Sequence, residues 1–215
     1  MPQPLYYQLL NAMKHIKLSL LFLALIAVMD VSAQTADRLM RGVAEKVSSS
    51  PSVELQFTIN GSDGPVQGSA VLSGAYFTLS TPIVKVWYDG LTQWTMLCST
   101  QEVSITEPTA EELMESNPFA ILRSYASRYS VRKLSDVGVS RRVELTPLHG
   151  VDTDIQRVIV LIGADGWPTG AEVRYGDNRV IGASIDHISS GTAKPQSSFR
   201  YNAALNPASE IIDLR

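Results

Sequence analysis

Histidine and cysteine side chains are best suited to acid–base or nucleophilic chemistry at neutral pH, and this chain has few of them. Its 215 residues include three histidines and a single cysteine, Cys98. His149 lies in a Pro-Leu-His-Gly sequence typical of a turn, and His187 lies in a strand-like run. Both are far from Cys98 in the sequence, so the pattern does not favour a His–Cys catalytic pair. One cysteine also excludes an internal disulfide framework, and we expect Cys98 to be a buried strand residue.

Other short patterns that could support chemistry are incomplete. The sequence Gly182–Ser184 lacks the second glycine of a nucleophile elbow and lies within a predicted strand. Asp152 and Asp154 have a spacing seen in calcium loops, but no downstream glutamate completes an EF-hand pattern. We therefore predict no catalytic residues, no metal site and no cofactor.

The N-terminal region has the organisation of a secretory signal peptide. Two lysines precede an apolar run from Leu18 to Val28, and Val31–Ala33 supplies the small residues of a cleavage site. The run is too short to span a bilayer as a helix. We assign residues 1–33 to the signal peptide and 34–215 to one exported domain. Residues 1–12 are atypical ahead of such a peptide, so we expect Met13 to be the true start.

The charge of the chain limits its partners. It has 18 Lys and Arg against 21 Asp and Glu, a net charge of −3, without clusters of basic residues. This balance speaks against binding to nucleic acid and against strong attraction to anionic membranes. The exported part is long enough for a single domain with a hydrophobic core.

Alternating apolar and polar residues predict a chain made mostly of strands. The first, Val53–Asn60, points Val53, Leu55, Phe57 and Ile59 to one side. Turn residues separate it from many further short strands, a spacing typical of an antiparallel meander. The other predicted strands are Val66–Ser73, Ala75–Ser80, Glu102–Thr106, Tyr129–Leu134, Arg141–Thr146, Ile155–Ile162, Ala171–Tyr175, Val180–Ile188 and Ser197–Tyr201, in addition to the hairpin described below.

Three segments have helical periodicity instead. Thr35–Ser49 places Ala36, Leu39, Met40, Val43 and Val47 on one stripe, with Thr35 as a cap. Thr109 and Glu112 have the spacing of a capping box, which predicts a short helix over Thr109–Glu115. Asn117-Pro118 predicts the start of a second short helix over Pro118–Arg128. The predicted fold is therefore α+β: one large, curved antiparallel sheet with a few short helices against one face.

The stretch Ile83–Cys98 predicts a hairpin that is apolar on both faces. Asp89-Gly90 suits a two-residue turn, in which positions summing to 179 face each other. Trp87, Trp94 and Met96 then share one face, and Val84, Val86, Tyr88, Leu91 and Leu97 share the other. An ordinary one-sided hairpin alternates apolar with polar residues. Both faces of this hairpin therefore need a cover, from protein or from a ligand.

The surplus of large apolar side chains on neighbouring elements predicts a concave apolar cavity. Plain hydrophobic core is the alternative for each residue. The candidates for lining the cavity are Phe57, Phe77, Leu79, Trp87, Trp94 and Met96 on strands, with Met114, Phe119 and Leu122 on the covering helices.

Several segments in order resemble a known family. They are V-x-G-x-A-x-L-S-G-A-Y-F-x-L-S-T-P at residues 66–82, W-Y-D-G-L-T-Q-W at 87–94, N-P-F-A-I-L at 117–122, and the terminal F-R-Y-N-x-x-x-N-P-x-x-E-I-I-D-L-R. With the signal peptide, this order resembles the periplasmic outer-membrane lipoprotein carrier (LolA-like) family, as a diverged member.

The resemblance implies an unclosed (half) β-barrel covered by a few short helices, in a monomeric periplasmic carrier of a Gram-negative bacterium. Its apolar interior would shield the acyl chains of lipoproteins received from an inner-membrane ABC transporter complex and delivered to an outer-membrane acceptor. One feature departs from the family, in which an arginine after the second strand holds the helical lid closed. The corresponding residues here are Leu72-Ser73-Gly74-Ala75, without a basic side chain.

Two alternatives remain on the same fold. One is a binder of a free lipid or another small apolar ligand. The other is a protein-interaction or envelope-stress sensing module with a stable protein partner.

Overall fold

The computed structural model describes residues 33–61, 64–109, 112–113, 117 and 120–215. Twelve strands form one sheet in the spatial order β12-β6-β5-β4-β3-β2-β1-β11-β10-β9-β8-β7. The strands are β1 Ser52–Gly61, β2 Gly64–Ser73, β3 Tyr76–Ser80, β4 Val84–Tyr88, β5 Gln93–Leu97, β6 Glu102–Thr106, β7 Tyr129–Val137, β8 Ser140–Pro147, β9 Ile155–Ile162, β10 Pro168–Tyr175, β11 Val180–Gly191 and β12 Glu210–Asp213.

The sheet is a mainly antiparallel, unclosed half-barrel, which confirms the predicted fold class. Its edge strands β12 and β7 are not paired with each other in the described part of the chain. One pairing differs from the prediction of a purely antiparallel sheet, because β12 runs parallel to β6. A parallel pair needs a long connection between its strands. Here that connection includes all the strands from β7 to β11, so no local pattern indicates it.

Helix α1, residues 33–49, packs against the inner face of the sheet. Its stripe is confirmed: Ala36, Met40 and Val43 are at most 1% exposed. They join Val143, Leu145, Val158 and Ile162 of β8 and β9 in one hydrophobic cluster. Thr35 lies inside the helix instead of capping it, since residues 33 and 34 are already helical.

The capping box at Thr109 and Glu112 is also confirmed. The Glu112 carboxylate accepts hydrogen bonds from the backbone amide and hydroxyl of Thr109, at 2.7 and 2.9 Å, and the Thr109 hydroxyl accepts from the Glu112 amide. Helix α2, Ala120–Arg128, follows and carries Tyr125 into the cluster beneath α1.

A second cluster fills the inner face of β1–β4. It contains the predicted inward residues Val53, Leu55 and Phe57, and Phe77 and Tyr88, whose ring centroids are 5.5 Å apart. Val47 of α1 and Leu122 of α2 pack against it. The two helices therefore cover only the inner face.

The outer face of β7–β10 bears a network of charged side chains. The Glu144 carboxylate is almost fully buried and accepts from Arg132 at 2.7 and 3.0 Å. Arg157 lies 3.7 Å from Glu144 and 3.4 Å from Glu172. This face is thus hydrophilic, in contrast to the inner one.

Most strand predictions agree with the structure, but Ser197–Tyr201 does not form a strand, and Cys98, predicted to be a buried strand residue, is half-buried in the turn after β5. Residues Gln196–Phe199 form a 3-10 turn, and Phe199 is buried.

No helix within the described ranges combines the length and the apolar character that crossing a bilayer requires. The predicted signal peptide lies almost entirely outside the described residues, which begin at residue 33.

Candidate functional site: an apolar pocket beneath helix α2

An apolar pocket of about 180 Å³ lies between helix α2 and the inner face of the sheet. Its floor comes from five strands, and Ile121 and Leu122 of α2 form its roof. All the residues that line it are nonpolar, so the pocket can bind hydrocarbon by the hydrophobic effect. The strand residues and their flanks are Leu55, Phe57, Ile59, Leu79, Val158, Val160, Pro168, Gly170, Ala171, Ala183 and Ile185.

Alternation along the strands places these side chains together. Residues Leu55, Phe57 and Ile59 occupy every second position of β1, which puts all three on the inner face. On the neighbouring strands, Ala171 of β10 is directly opposite Ala183 of β11. These small residues leave the space that the pocket occupies.

Glycines allow two close approaches at the pocket wall. Gly68 of β2 is opposite Phe57, and a Cβ at position 68 would lie 2.4 Å from Cζ of that ring. A Cβ at Gly170 would lie 2.5 Å from the carbonyl oxygen of Ala183. Any larger residue would displace the Phe57 ring in the first case and the β10–β11 backbone in the second.

Helix α2 is held over the pocket by both apolar and polar contacts. Leu122 packs against the cluster beneath α1 and against the second cluster of β1–β4. The next residue, Arg123, donates a hydrogen bond to the carbonyl oxygen of Gly74 in the β2–β3 turn. The sequence lacks an arginine after β2, and here an arginine on the helix contacts that same turn.

The structure places three of the predicted cavity residues, Phe57, Leu79 and Leu122, at the pocket. Phe77 lies on the same face but is fully buried in the adjoining cluster. Met114 and Phe119 lie outside the described residues. The prediction missed the lining from β9, β10 and β11, whose small or aliphatic residues are indistinguishable from ordinary core in the sequence.

The other three predicted residues lie on the opposite face of the sheet. The β4–β5 register pairs Trp87 with Trp94 and Lys85 with Met96, two positions away from the predicted pairing. The predicted two-residue turn is therefore wrong, since Asp89–Thr92 forms a four-residue loop. An even shift preserves which residues share a face, so Trp87, Trp94 and Met96 do lie together. They do not contact the pocket, because Val86 and Tyr88 occupy the inner face of β4.

The structure shows where the two histidines considered as catalytic candidates lie. His149 and His187 are both exposed, and neither lines the pocket. Within the described ranges, no three His, Cys, Asp or Glu side chains come close enough to hold a metal ion.

Comparison with protein families identifies the chain. The model described as "Outer membrane lipoprotein carrier protein LolA" matches residues 26–175, more than half of the sequence. The chain belongs to this family.

One solved structure shares the fold and two others show a weaker likeness, all at low sequence identity. An uncharacterized conserved protein from Thermus thermophilus is 10% identical, with a TM-score of 0.58 over 83% of this chain and 99% of the other. A DUF1329 family protein from Desulfovibrio piger is 12% identical, with a TM-score of 0.49 over 79% and 98%. The Pseudomonas aeruginosa MucA/MucB complex includes a chain that is 13% identical, with a TM-score of 0.43 over 79% and 62%. Comparison with curated proteins gave no match.

In this family member, the C-terminal segment covers the outer face of the β4–β5 hairpin. Tyr201 contacts Trp87 edge to face, with ring centroids 5.4 Å apart. The Ser209 hydroxyl lies 3.9 Å from the sulfur of Met96, which is 2% exposed. The second apolar face of the hairpin is therefore covered by the protein itself.

Asp89 is the polar centre of this contact. Its Oδ1 accepts from the backbone amides of Leu91 and Thr92, at 3.2 and 3.0 Å, and its Oδ2 accepts from Nε of Arg200 at 2.7 Å. Burial by itself raises the pKa of the carboxyl, but the hydrogen bonds from Thr92 and Leu91 and the charge of Arg200 outweigh it. The pKa of Asp89 therefore lies below its ordinary value.

Proposed function

We propose that this protein carries the acyl chains of lipid-modified polypeptides across the periplasm, bound in the pocket beneath α2. The observation that carries the proposal is the uniformly nonpolar lining of that pocket. Membership of the lipoprotein carrier family supports the same ligand class. In this proposal an inner-membrane ABC transporter complex supplies the lipoprotein, and an outer-membrane acceptor receives it.

The size of the pocket implies that loading requires movement of α2. A cavity of about 150 Å³ in another protein accommodates benzene, and this pocket measures about 180 Å³. It therefore holds only part of a long acyl chain while α2 is in place. Displacing Ile121 and Leu122 would open the inner face, and the Arg123–Gly74 hydrogen bond is one contact that such a movement breaks.

Partial burial of the acyl chain also allows the ligand to be released to an acceptor. Burying a methylene group stabilises binding by roughly 0.8 kcal/mol. Full enclosure of several long chains would then bind too tightly for delivery, near the limit of noncovalent affinity. A small pocket under a displaceable helix gives a moderate affinity that an acceptor can exceed.

Two variants on neighbouring residues of β11 test the proposal. Ala183→Trp would fill the pocket, whereas Ser184→Trp places the same side chain on the outer face, where Ser184 is exposed. Binding of a synthetic diacylated lipopeptide is measured by calorimetry with each folded variant. We expect Ala183→Trp to weaken binding at least tenfold and Ser184→Trp to leave it unchanged.

Other results would overturn the proposal. Failure of the unmodified protein to bind the lipopeptide would exclude acyl-chain carriage, as would an equal loss in both variants. Protein isolated from the periplasm should also contain acylated polypeptide by mass spectrometry. A lipid without attached polypeptide would instead favour a free-lipid binder, and a stable protein partner without lipid would favour an interaction module.

A further inference from the structure

A second cavity lies beside the apolar pocket, in the cleft between α1 and α2. It measures about 530 Å³ and differs from the pocket in its mixed lining. Arg41, Glu45 and Ser48 line it from α1, and Arg123 lines it from α2, over an apolar base that includes Val53 and Leu72. Such a cleft offers contacts to both the polar and the apolar parts of a ligand.

One side chain separates the cleft from the pocket. Among the described residues, Leu122 alone lines both cavities. It is only half-buried, and it packs against both hydrophobic clusters. A rotation of this side chain, or a small shift of α2, would connect the two spaces. A ligand with an apolar and a polar part could then occupy both.

The charges in the cleft disfavour an isolated anion. Arg41 forms an ion pair with Asp37, and Arg123 is bound to the carbonyl oxygen of Gly74. The Glu45 carboxylate adds a negative charge to the lining. Helix α1 also ends here, at residue 49, and the C-terminal end of a helix has a partial negative charge. A free fatty acid or a phosphate group therefore gains little from this site.

The hydrogen-bonding groups of the cleft match a peptide backbone instead. The hydroxyl groups of Ser48 and Ser50 donate to the carbonyl oxygens of Glu45 and Lys46, at 3.2 and 2.8 Å. Their oxygen lone pairs and the Glu45 carboxylate can still accept from amide N–H groups. The guanidinium groups of Arg41 and Arg123 each have further N–H donors for carbonyl oxygens.

We propose that the cleft binds the first few residues of the polypeptide to which the acyl chain in the pocket is attached. This inference rests on the proposed function, because the acyl chain is what brings the peptide to the cleft. It adds a polar subsite that distinguishes acylated polypeptides from free fatty acids.

The test compares two ligands that share one acyl chain. Calorimetry measures binding of palmitate and of an N-palmitoylated Gly-Ser pentapeptide with an amidated C-terminus. Ser48→Trp fills the cleft from an exposed position, and Ser49→Trp adds the same side chain at the next exposed position, which does not line the cleft. We expect Ser48→Trp to weaken peptide binding at least tenfold while changing palmitate binding less than twofold. Ser49→Trp should change neither.

The outcomes separate this inference from the proposed function. If neither ligand binds the unmodified protein, the proposed function fails. If both bind but Ser48→Trp weakens both equally or neither, the pocket stands and the peptide subsite is overturned. Circular dichroism and the thermal midpoint verify folding, and Glu45→Trp fills the same cleft from an exposed position if Ser48→Trp does not fold.

Discussion

The Asp89 carboxylate and the Arg200 guanidinium form an ion pair between the β4–β5 loop and the C-terminal segment, with Oδ2 2.7 Å from Nε. The two residues are 111 positions apart in the sequence. Gln196 reinforces the contact by donating to the Asp89 backbone carbonyl at 2.8 Å. Two of the segments on which the family resemblance rests therefore meet at one buried carboxylate.

Asp89→Asn should destabilise the protein by roughly 1–3 kcal/mol, because Oδ1 becomes a neutral acceptor and the NH2 group in place of Oδ2 cannot accept from Arg200. Urea denaturation monitored by tryptophan fluorescence measures the change. The same substitution at Asp213, whose partner Arg215 is exposed, should have little effect. Equal destabilisation by both would contradict a special role for the Asp89–Arg200 pair.

The lowered pKa of Asp89 predicts how stability depends on pH. In the unfolded chain this carboxyl binds a proton near its ordinary pKa of 3.8, while in the folded protein it stays ionised to lower pH. Its contribution is therefore complete above pH about 4 and is lost as the pH falls through the folded-state pKa. Asp89→Asn should make the urea midpoint less dependent on pH below about 4. An unchanged dependence would exclude this cause.

Arg123→Ala should loosen α2 without unfolding the sheet. The lost hydrogen bond to Gly74 contributes roughly 0.5–1.5 kcal/mol, so opening should become about 2- to 12-fold more frequent. Hydrogen exchange of the amides in 120–128 should accelerate by that factor, while amides of β8 and β9 stay protected. Ala126→Ser, at an exposed position of the same helix, provides the control. Similar acceleration in both variants would exclude Arg123 as a specific contact.

Gly68→Ala should destabilise the protein by about 1–3 kcal/mol through overpacking against Phe57. The added Cβ would lie 2.4 and 2.7 Å from two ring atoms of Phe57 and 3.0 Å from the Ser80 carbonyl oxygen. Gly182→Ala, also in a strand, would meet no atom within 4 Å and should be tolerated. Thermal unfolding of the two variants compares them directly. Equal midpoints would show that the Phe57 ring relaxes without cost.

Leu79→Gln and Trp94→Gln compare the two faces of the sheet. A glutamine amide in the pocket must give up water without a polar partner, so Leu79→Gln should weaken lipopeptide binding roughly tenfold or more. Trp94 lies on the outer face, and its replacement should leave the affinity of the folded protein unchanged. Calorimetry measures the lipopeptide affinity of both variants and so shows which face binds the ligand. Weaker binding in Trp94→Gln alone would place the ligand on the outer face.

Local patterns predicted most of the elements correctly. Helix α1 and the alternation of β1 follow from side-chain periodicity, which depends only on the backbone repeat of each element. The capping box at Thr109 likewise uses residues within one turn. Three of the cavity candidates, Phe57, Leu79 and Leu122, line the pocket for the same reason: each follows the periodicity of its own element.

Contacts between residues far apart in the sequence explain why some predicted elements were wrong. The run Ser197–Tyr201 has a strand-like pattern, but Gln196 and Arg200 bind Asp89, and the ring centroid of Phe199 lies 5.7 Å from that of Tyr76. These contacts hold the segment on the outer face, away from the edge of the sheet. Strand β12 pairs with β6 although five other strands separate them along the chain, a distance that no short window contains.

The sequence by itself determined that Trp87, Trp94 and Met96 share a face, because strand alternation depends only on odd and even positions. It could not determine which face is the inner one, since the hairpin is apolar on both. The tertiary structure decided this through the segments that pack over each face. Helices α1 and α2 lie over the face of Val86 and Tyr88, while Tyr201 and Ser209 cover the face of Trp87 and Met96. The pocket therefore forms only where helix α2 leaves a gap above small and branched side chains.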